Sequence, residues 1–444
     1  MQFKIFKIEE EIPLRNRFLL TVLLITATLT AAFSSGEVAA QTQSEATAVN
    51  GNFLRLRDLL REARERNPEI LAAEKRRRAA QARIKPAGTY ADPQIAFQTM
   101  YAPYPLTNAF NGERIFTISQ MFEFPGKLGL MSGMARKEAE AVGADVETIR
   151  LRVLRDVKAT YFMLYRVDRE LEINAANRRL IKQFIEIANV KYATGMGLQP
   201  DIIKAQVEFS MLVNDSLMLA QERGSAAAML NSLLNRPRET PVPLTTEFFD
   251  PQQFKFSLDS LAQVAYAQRP EIRNMQSMAE MYQLSTRLAR KEYIPNFMLS
   301  FSTRRMPDKM NNWDGMISLN LPIYFWRKQT PRVQEAEANY GMANANLQAM
   351  RNMVRFEVES AFLKVEQAAR SVRIFENTII PLAEQSLLAS RAAYETNKVD
   401  FLMLLDSQRV LRDMRLAYYQ GLAEFGTRLA ELERVVGVEL VKLD

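Results

Sequence analysis

Between Gln94 and Tyr101 the chain reads QIAFQTMY, with Ile95, Phe97 and Tyr101 on one side of an extended strand and Gln94, Ala96 and Gln98 on the other. The same alternation recurs three times. Phe116, Ile118, Phe122 and Phe124 oppose Thr117, Ser119 and Glu123. Phe297, Leu299 and Phe301 oppose Ser300 and Ser302, and Ile317, Leu319, Leu321 and Ile323 oppose Ser318 and Asn320. Side chains alternate across a strand, so a period of two predicts strands at about 93–101, 114–124, 296–303 and 315–324. One face is large and apolar, the other small or polar. A strand with lipid outside and water inside reads this way, and so does a half-buried sheet in a soluble protein.

Elsewhere the period changes. Val358, Ala361, Val365, Ala368, Val372, Phe375, Ile379 and Leu382 alternate by three and four residues, a heptad seam. A helix from Gly126 to Thr194 would extend about 100 Å at 1.5 Å per residue, more than a compact globule uses. The long helical runs break near Gly195 and Asn397 and continue to about Asn235 and Val436. Shorter amphipathic runs, about Phe53 to Lys85 and Leu258 to Glu292, are interrupted by Asn67-Pro68 and Arg269-Pro270, which predicts two helices with a turn in each.

These elements come in duplicate. NPEI at Asn67 returns as RPEI at Arg269, DVKATYF at Asp156 as EVESAFL at Glu357, and KYATGMGLQPDIIKAQ at Lys191 as AYETNKVDFLMLLDSQ at Ala393. The offset stays at about 200 residues, far too long for a solenoid repeat. The expected organisation is a first repeat at 55–236, a proline-broken linker at 237–256, a second repeat at 257–438 and a tail at 439–444.

The N-terminus adds a compartment. Lys4, Lys7, Arg15 and Arg17 precede the apolar run Phe18 to Phe33, which ends in small residues, with cleavage expected after Ala40. Residues 1–40 read as a secretory signal peptide and 41–54 as an N-terminal extension. No later segment is apolar for long enough to form a transmembrane helix. If the mature chain crosses a membrane, it uses its strands. Four strands do not close a barrel in one chain, and open edges in lipid leave unpaired N–H and C=O groups at several kcal/mol each. The sheet is therefore expected to close by oligomerisation, with three copies giving twelve strands above a hollow helical bundle.

Composition removes most chemistry. The chain has no Cys and no His, which excludes thiolate and imidazole nucleophiles and zinc fingers. The net charge of +7 is spread among interleaved acids and bases. Its densest basic run, Lys75 to Arg78, has no aromatic or Gly-rich flank of the kind a nucleic-acid site uses. The 22 Met residues are scattered and suit gap filling better than soft-metal binding. No catalytic, cofactor or metal site is expected.

The duplicated NPEI…ADPQIAF and RPEI…IPNFMLSF units, followed by the two hairpin stretches at Lys191 and Ala393, resemble the TolC-type outer-membrane efflux proteins over about Arg55 to Val438. The stretch EFPGKLGLMSGMARKEAEA from Glu123 looks more like the heavy-metal cation branch of that family. The resemblance implies a mainly α chain with membrane β: a homotrimer with a 12-stranded β-barrel in the outer membrane and an α-helical barrel in the periplasm. It implies a periplasmic membrane-fusion adaptor and an inner-membrane pump, of resistance-nodulation-division or ABC type, as partners, and no enzyme activity. Small solutes or metal cations would pass outward. A type I protein-secretion duct stays open as an alternative, and so does a periplasmic coiled-coil adaptor.

The same resemblance places hairpin turns at Gly195, Gly197 and Asn397, and a ring of gate acids just beyond them at Asp201 and Asp406, with Asp400 nearby. Met403 stands where a further acid could be. Asp201 and Asp400 equally suit the caps or first turns of helices. Ile95, Phe97, Phe116, Ile118, Phe297, Leu299, Phe301, Ile317, Leu319 and Leu321 are expected to face lipid. Tyr101, Tyr293 and Trp326 are expected at the membrane interface.

Overall fold

The computed structural model describes residues 53–100, 112–245, 250–251, 254–305 and 312–440. The expected signal peptide, nearly all of the N-terminal extension, the last residues of the tail and Tyr101 lie outside the described residues.

Each repeat is laid out in the same order. The first holds α1 (Leu56–Arg66), α2 (Pro68–Ala87), β2 (Gln94–Met100), β3 (Glu113–Phe122), α3 (Lys127–Ala193) and α4 (Gln199–Leu233). The second holds α5 (Leu258–Gln268), α6 (Pro270–Lys291), β5 (Phe297–Arg305), β6 (Asn312–Leu319), α7 (Gln329–Ile374), α8 (Ile380–Glu395) and α9 (Phe401–Val436). Two short strands, β1 (Phe53–Leu54) and β4 (Leu244–Thr245), pair in parallel.

Local chemistry explains the paired short helices. Asn67 is extended at φ −63° and ψ 125°, as a residue before proline prefers. Its Oδ1 accepts from the amides of Glu69 at 2.9 Å and Ile70 at 3.2 Å, while its Nδ2 donates to the Leu233 carbonyl at 2.8 Å. One side chain thus caps α2 and fixes it to the end of α4. In the second repeat Arg269 takes the same position without capping, and its guanidinium instead pairs with Glu271 and Glu357.

The 67-residue α3 spans about 100 Å at 1.5 Å per residue. It packs against α2, α4, α6 and α9. Val153, Val157, Tyr161 and Leu164 on α3 lie at the centre of a core with Leu56, Leu59 and Leu230. Where α9 crosses, Gly426 comes so close to Phe162 that a Cβ there would meet the ring at 2.7 Å.

The heptad seam of α7 holds only in part. Val358, Ala361, Val365, Ala368 and Val372 are buried, but Phe375 and Ile379 are half-buried and Leu382 is 60% exposed. A π-helical turn at Phe375–Ile379 inserts between α7 and α8. It adds a residue to the turn, so the buried position moves from Leu382 to Ala383. Pro381, which has no N–H to donate, is the local signal for that interruption.

The segment between the repeats is not slack. Asp168 on α3, which is buried, accepts from Thr245 N at 3.0 Å, Thr245 Oγ1 at 2.9 Å and Arg223 Nε at 2.7 Å. That fixes β4, and through it β1, to the side of the helices.

The four longer strands form one antiparallel sheet in the order β2-β3-β5-β6. A central β3–β5 pairing joins the two repeats, and β2 and β6 are its edges. The junction between sheet and helices is tied by Lys127, which is 5% exposed and donates to Ile294 O and Asn296 Oδ1, both at 2.7 Å. Beside it Gly126 adopts φ +88°, a left-handed conformation that glycine accepts without strain.

Candidate functional site

The register decides which side chains share a face. Ile95 opposes Ile118, Phe97 opposes Phe116, Ile118 opposes Phe301, and Leu299 and Phe297 oppose Ile317 and Leu319. Nine of the ten residues expected on the apolar face therefore lie on one side of one continuous sheet. Eight of the nine are exposed, from 40% at Leu299 to 72% at Ile317, and Phe297 is half-buried. Leu321 departs from the expectation. β6 ends at Leu319, earlier than the expected strand at 315–324, and Leu321 lies in the turn before α7, next to Pro322. The opposite face carries Gln94, Ala96, Thr117, Ser119, Ser300 and Ser302, with Thr117 and Ser302 sharing a hydroxyl hydrogen bond of 2.9 Å.

At the helix end of the sheet, aromatic rings gather. Phe122 stacks on Phe297 at 5.3 Å and meets Tyr90 edge-on at 5.4 Å. Tyr293 and Trp326 both approach Phe325, at 6.4 Å and 5.2 Å.

At the opposite end of the helices, the two hairpin turns repeat each other bond for bond. Gly195 N donates to Tyr192 O and Asn397 N to Tyr394 O; Met196 N donates to Lys191 O and Lys398 N to Ala393 O. Gly195 (φ +73°) and Asn397 (φ +56°) are the left-handed residues of this helix-ending motif. Gly197 is constrained differently: a Cβ there would lie 2.9 Å from that of Lys191.

The acids differ in their local work. Asp400 caps α9 by accepting from Met403 N at 3.0 Å. Asp201 sits in the first turn of α4, where the helix dipole favours an anion. Asp406 is exposed, one turn before Arg409. Tyr394 has its phenol pushed above its usual range, first by burial and then by the negative charge of Asp201.

The tip is tied together by residues that the sequence reading did not single out. Lys191 Nζ, from the first hairpin, reaches Tyr394 O and donates to Asn397 Oδ1 at 2.6 Å, lying 4.1 Å from the centre of the Tyr394 ring. Farther up, Glu208 on α4 is 2% exposed and accepts from Arg409 Nε at 2.9 Å and Arg412 Nη1 at 2.8 Å, both on α9. Its carboxylate raises the pKa of the Arg409 guanidinium. Ala205, Glu208 and Leu212 have core spacing, and all three are buried. A carboxylate on an otherwise apolar seam was the signal for this brace. Ile181, Phe184, Phe401 and Leu404 form an apolar cluster between the hairpins.

A one-sided apolar sheet continuous with helices far longer than a globule needs describes a channel that joins a membrane to an aqueous space. The chain matches the outer membrane efflux protein family over residues 59–236 and 261–438, and it belongs to that family. Relatives include the outer membrane protein TolC of Vibrio cholerae, 18% identical over 86% of this chain and 90% of TolC. The cobalt-zinc-cadmium resistance protein CzcC of Cupriavidus metallidurans is 20% identical over 71% of this chain and 75% of CzcC. Among solved structures, the outer membrane protein VceC of Vibrio cholerae superposes with a TM-score of 0.73 at 17% identity, covering 86% of this chain and 96% of VceC. The chain is an outer-membrane efflux channel with a β-barrel portion and a helical barrel reaching into the periplasm.

Proposed function

We propose that three copies of this chain close into a twelve-stranded barrel and form a passive exit duct for an inner-membrane pump and a periplasmic adaptor. The observation that carries this reading is the open sheet. β2 and β6 have no partner on their outer edges among the described residues, and unpaired backbone groups are prohibitive in lipid. The apolar face then meets the acyl chains, and Tyr293 and Trp326 lie at the headgroup level on the helix side. Among the described residues no helix is long and apolar enough to cross a membrane. The adaptor alternative does not survive, because the chain belongs to the channel family. Light scattering of detergent-extracted protein should give a trimer; a stable, folded monomer would overturn the barrel.

The tip is the gate of this duct, with Asp201 and Asp406 facing its axis and Asp400 serving chiefly as a cap. Threefold repetition turns each acid into a ring that attracts cations. The cargo is small solutes or metal cations, and the metal reading is supported by the relationship to CzcC. The double variant Asp201→Ala, Asp406→Ala should raise single-channel conductance and weaken block by divalent cations. Unchanged block in an intact trimer would show that other residues build the constriction.

A further inference from the structure

The rung of the sheet farthest from the helices is charged on both faces, and the two faces are not balanced alike. On the polar face, Arg304 is flanked by acids: Glu113 at 3.0 Å and Asp314 at 3.6 Å. On the apolar face, Arg114 of β3 and Arg305 of β5 are register partners. Directly opposed side chains on one face have their Cβ atoms about 4.5–5.5 Å apart, and like charges at that position repel. Neither arginine forms an ion pair among the described residues; Arg114 Nε, like Arg304 Nε on the polar face, is buried without a hydrogen-bond partner, so the two faces differ in charge pairing. The neighbour of Arg114 on β2 is Thr99, which is uncharged. Just below the pair, toward the helices, the same face carries Phe301 stacked on Trp313 at 5.9 Å.

We propose that Arg114 and Arg305 together bind the phosphate of an outer-leaflet lipid, a phosphorylated glycolipid whose acyl chains lie along the Phe301 and Trp313 side of the barrel. This inference rests on the reading of the apolar face as lipid-facing. The helices then occupy the periplasm, so the rung farthest from them lies at the outer surface, where phosphorylated headgroups are. A phosphate between two guanidinium groups removes their repulsion and accepts bidentate, charge-assisted hydrogen bonds from each. The apolar shelf beneath selects an amphiphile over a free anion. The faces differ in charge: two protein carboxylates lie beside the inward arginine, and the ligand supplies negative charge for the outward two.

The test uses the full-length assembled protein reconstituted in phosphatidylcholine discs. Binding is measured for diphosphorylated lipid A, for the same lipid enzymatically stripped of phosphate, and for inorganic phosphate. The wild type should prefer the phosphorylated lipid by roughly tenfold or more. The preference should vanish in Arg114→Gln, Arg305→Gln and weaken in Arg305→Gln alone, which changes only the exposed member of the pair. An unchanged preference in the double variant overturns the proposal, as does full competition by inorganic phosphate, which would make the site one for a free anion. A nitroxide at Ile317→Cys keeps the two readings apart, since the chain has no other Cys. Accessibility to water-soluble rather than lipid-soluble quencher would defeat the lipid-facing reading itself. Lipid accessibility with no phosphate preference would defeat this inference alone.

Discussion

Glu208→Gln keeps the shape of the side chain and removes its charge, and it should open the tip. The carboxylate holds Arg409 and Arg412 of α9 against α4, beside the apolar cluster the two helices share, so separating the hairpins at the proposed gate would break both pairs. Hydrogen bonds to charged groups contribute about 1.5–3 kcal/mol each, and the loss of one to each arginine gives about 3–6 kcal/mol. Two features reduce this. The Arg409 side chain is 43% exposed and can turn to water, and Arg412 keeps Asp413 at 2.9 Å. A net loss of about 2–3 kcal/mol remains. Each 1.4 kcal/mol is tenfold, so the ratio of open to closed tip should rise roughly 30- to 140-fold per protomer. Single-channel recording in planar bilayers measures it as longer openings and higher mean conductance. Unchanged openings in an intact trimer with a lowered melting temperature would refute the reasoning, because the brace would then add stability without holding the tip shut.

Charge on the two faces of β5 should act differently. Leu299→Arg should cost about 2–4 kcal/mol of assembly near the bilayer midplane, while Met298→Arg, one residue away on the other face, should yield far more trimer on gels of membrane extracts. Gly426→Ala should destabilise the protein by about 1–3 kcal/mol through overpacking against Phe162, and Phe162→Leu should recover part of that loss in thermal melts. Glu170 is buried, and its pKa is raised, first by burial and also by Glu222, with Arg166 opposing both. A carboxylate with a raised folded-state pKa destabilises the fold once ionised, so that penalty is absent in acid and sets in as pH rises through the folded-state pKa. Melting temperatures across pH should therefore show Glu170→Gln gaining on the wild type as pH rises from acid to neutral, despite the lost bond to Arg166.

Much was written locally. Period-two alternation marks the strands because each buries or exposes alternate residues whatever its neighbours are. Asn67-Pro68 and Arg269-Pro270 stop helices through the steric demand of proline on the residue before it, and Gly195 and Asn397 mark turns because they tolerate positive φ. The duplication itself is legible because both copies kept their turns. What the sequence could not decide depends on partners distant in the chain. β3 pairs with β5 across some 180 residues, and only that register gathers nine apolar residues of four strands onto one surface and sets Arg114 beside Arg305. The π turn before Pro381 shifts a seam that reads as an unbroken heptad, because one added residue rotates everything after it. Glu208 shares the core spacing of Ala205 and Leu212, but the sequence alone does not say what pairs with it. Its role exists only because the fold brings Arg409 and Arg412, from the other repeat, to within hydrogen-bonding distance of a carboxylate that no water reaches.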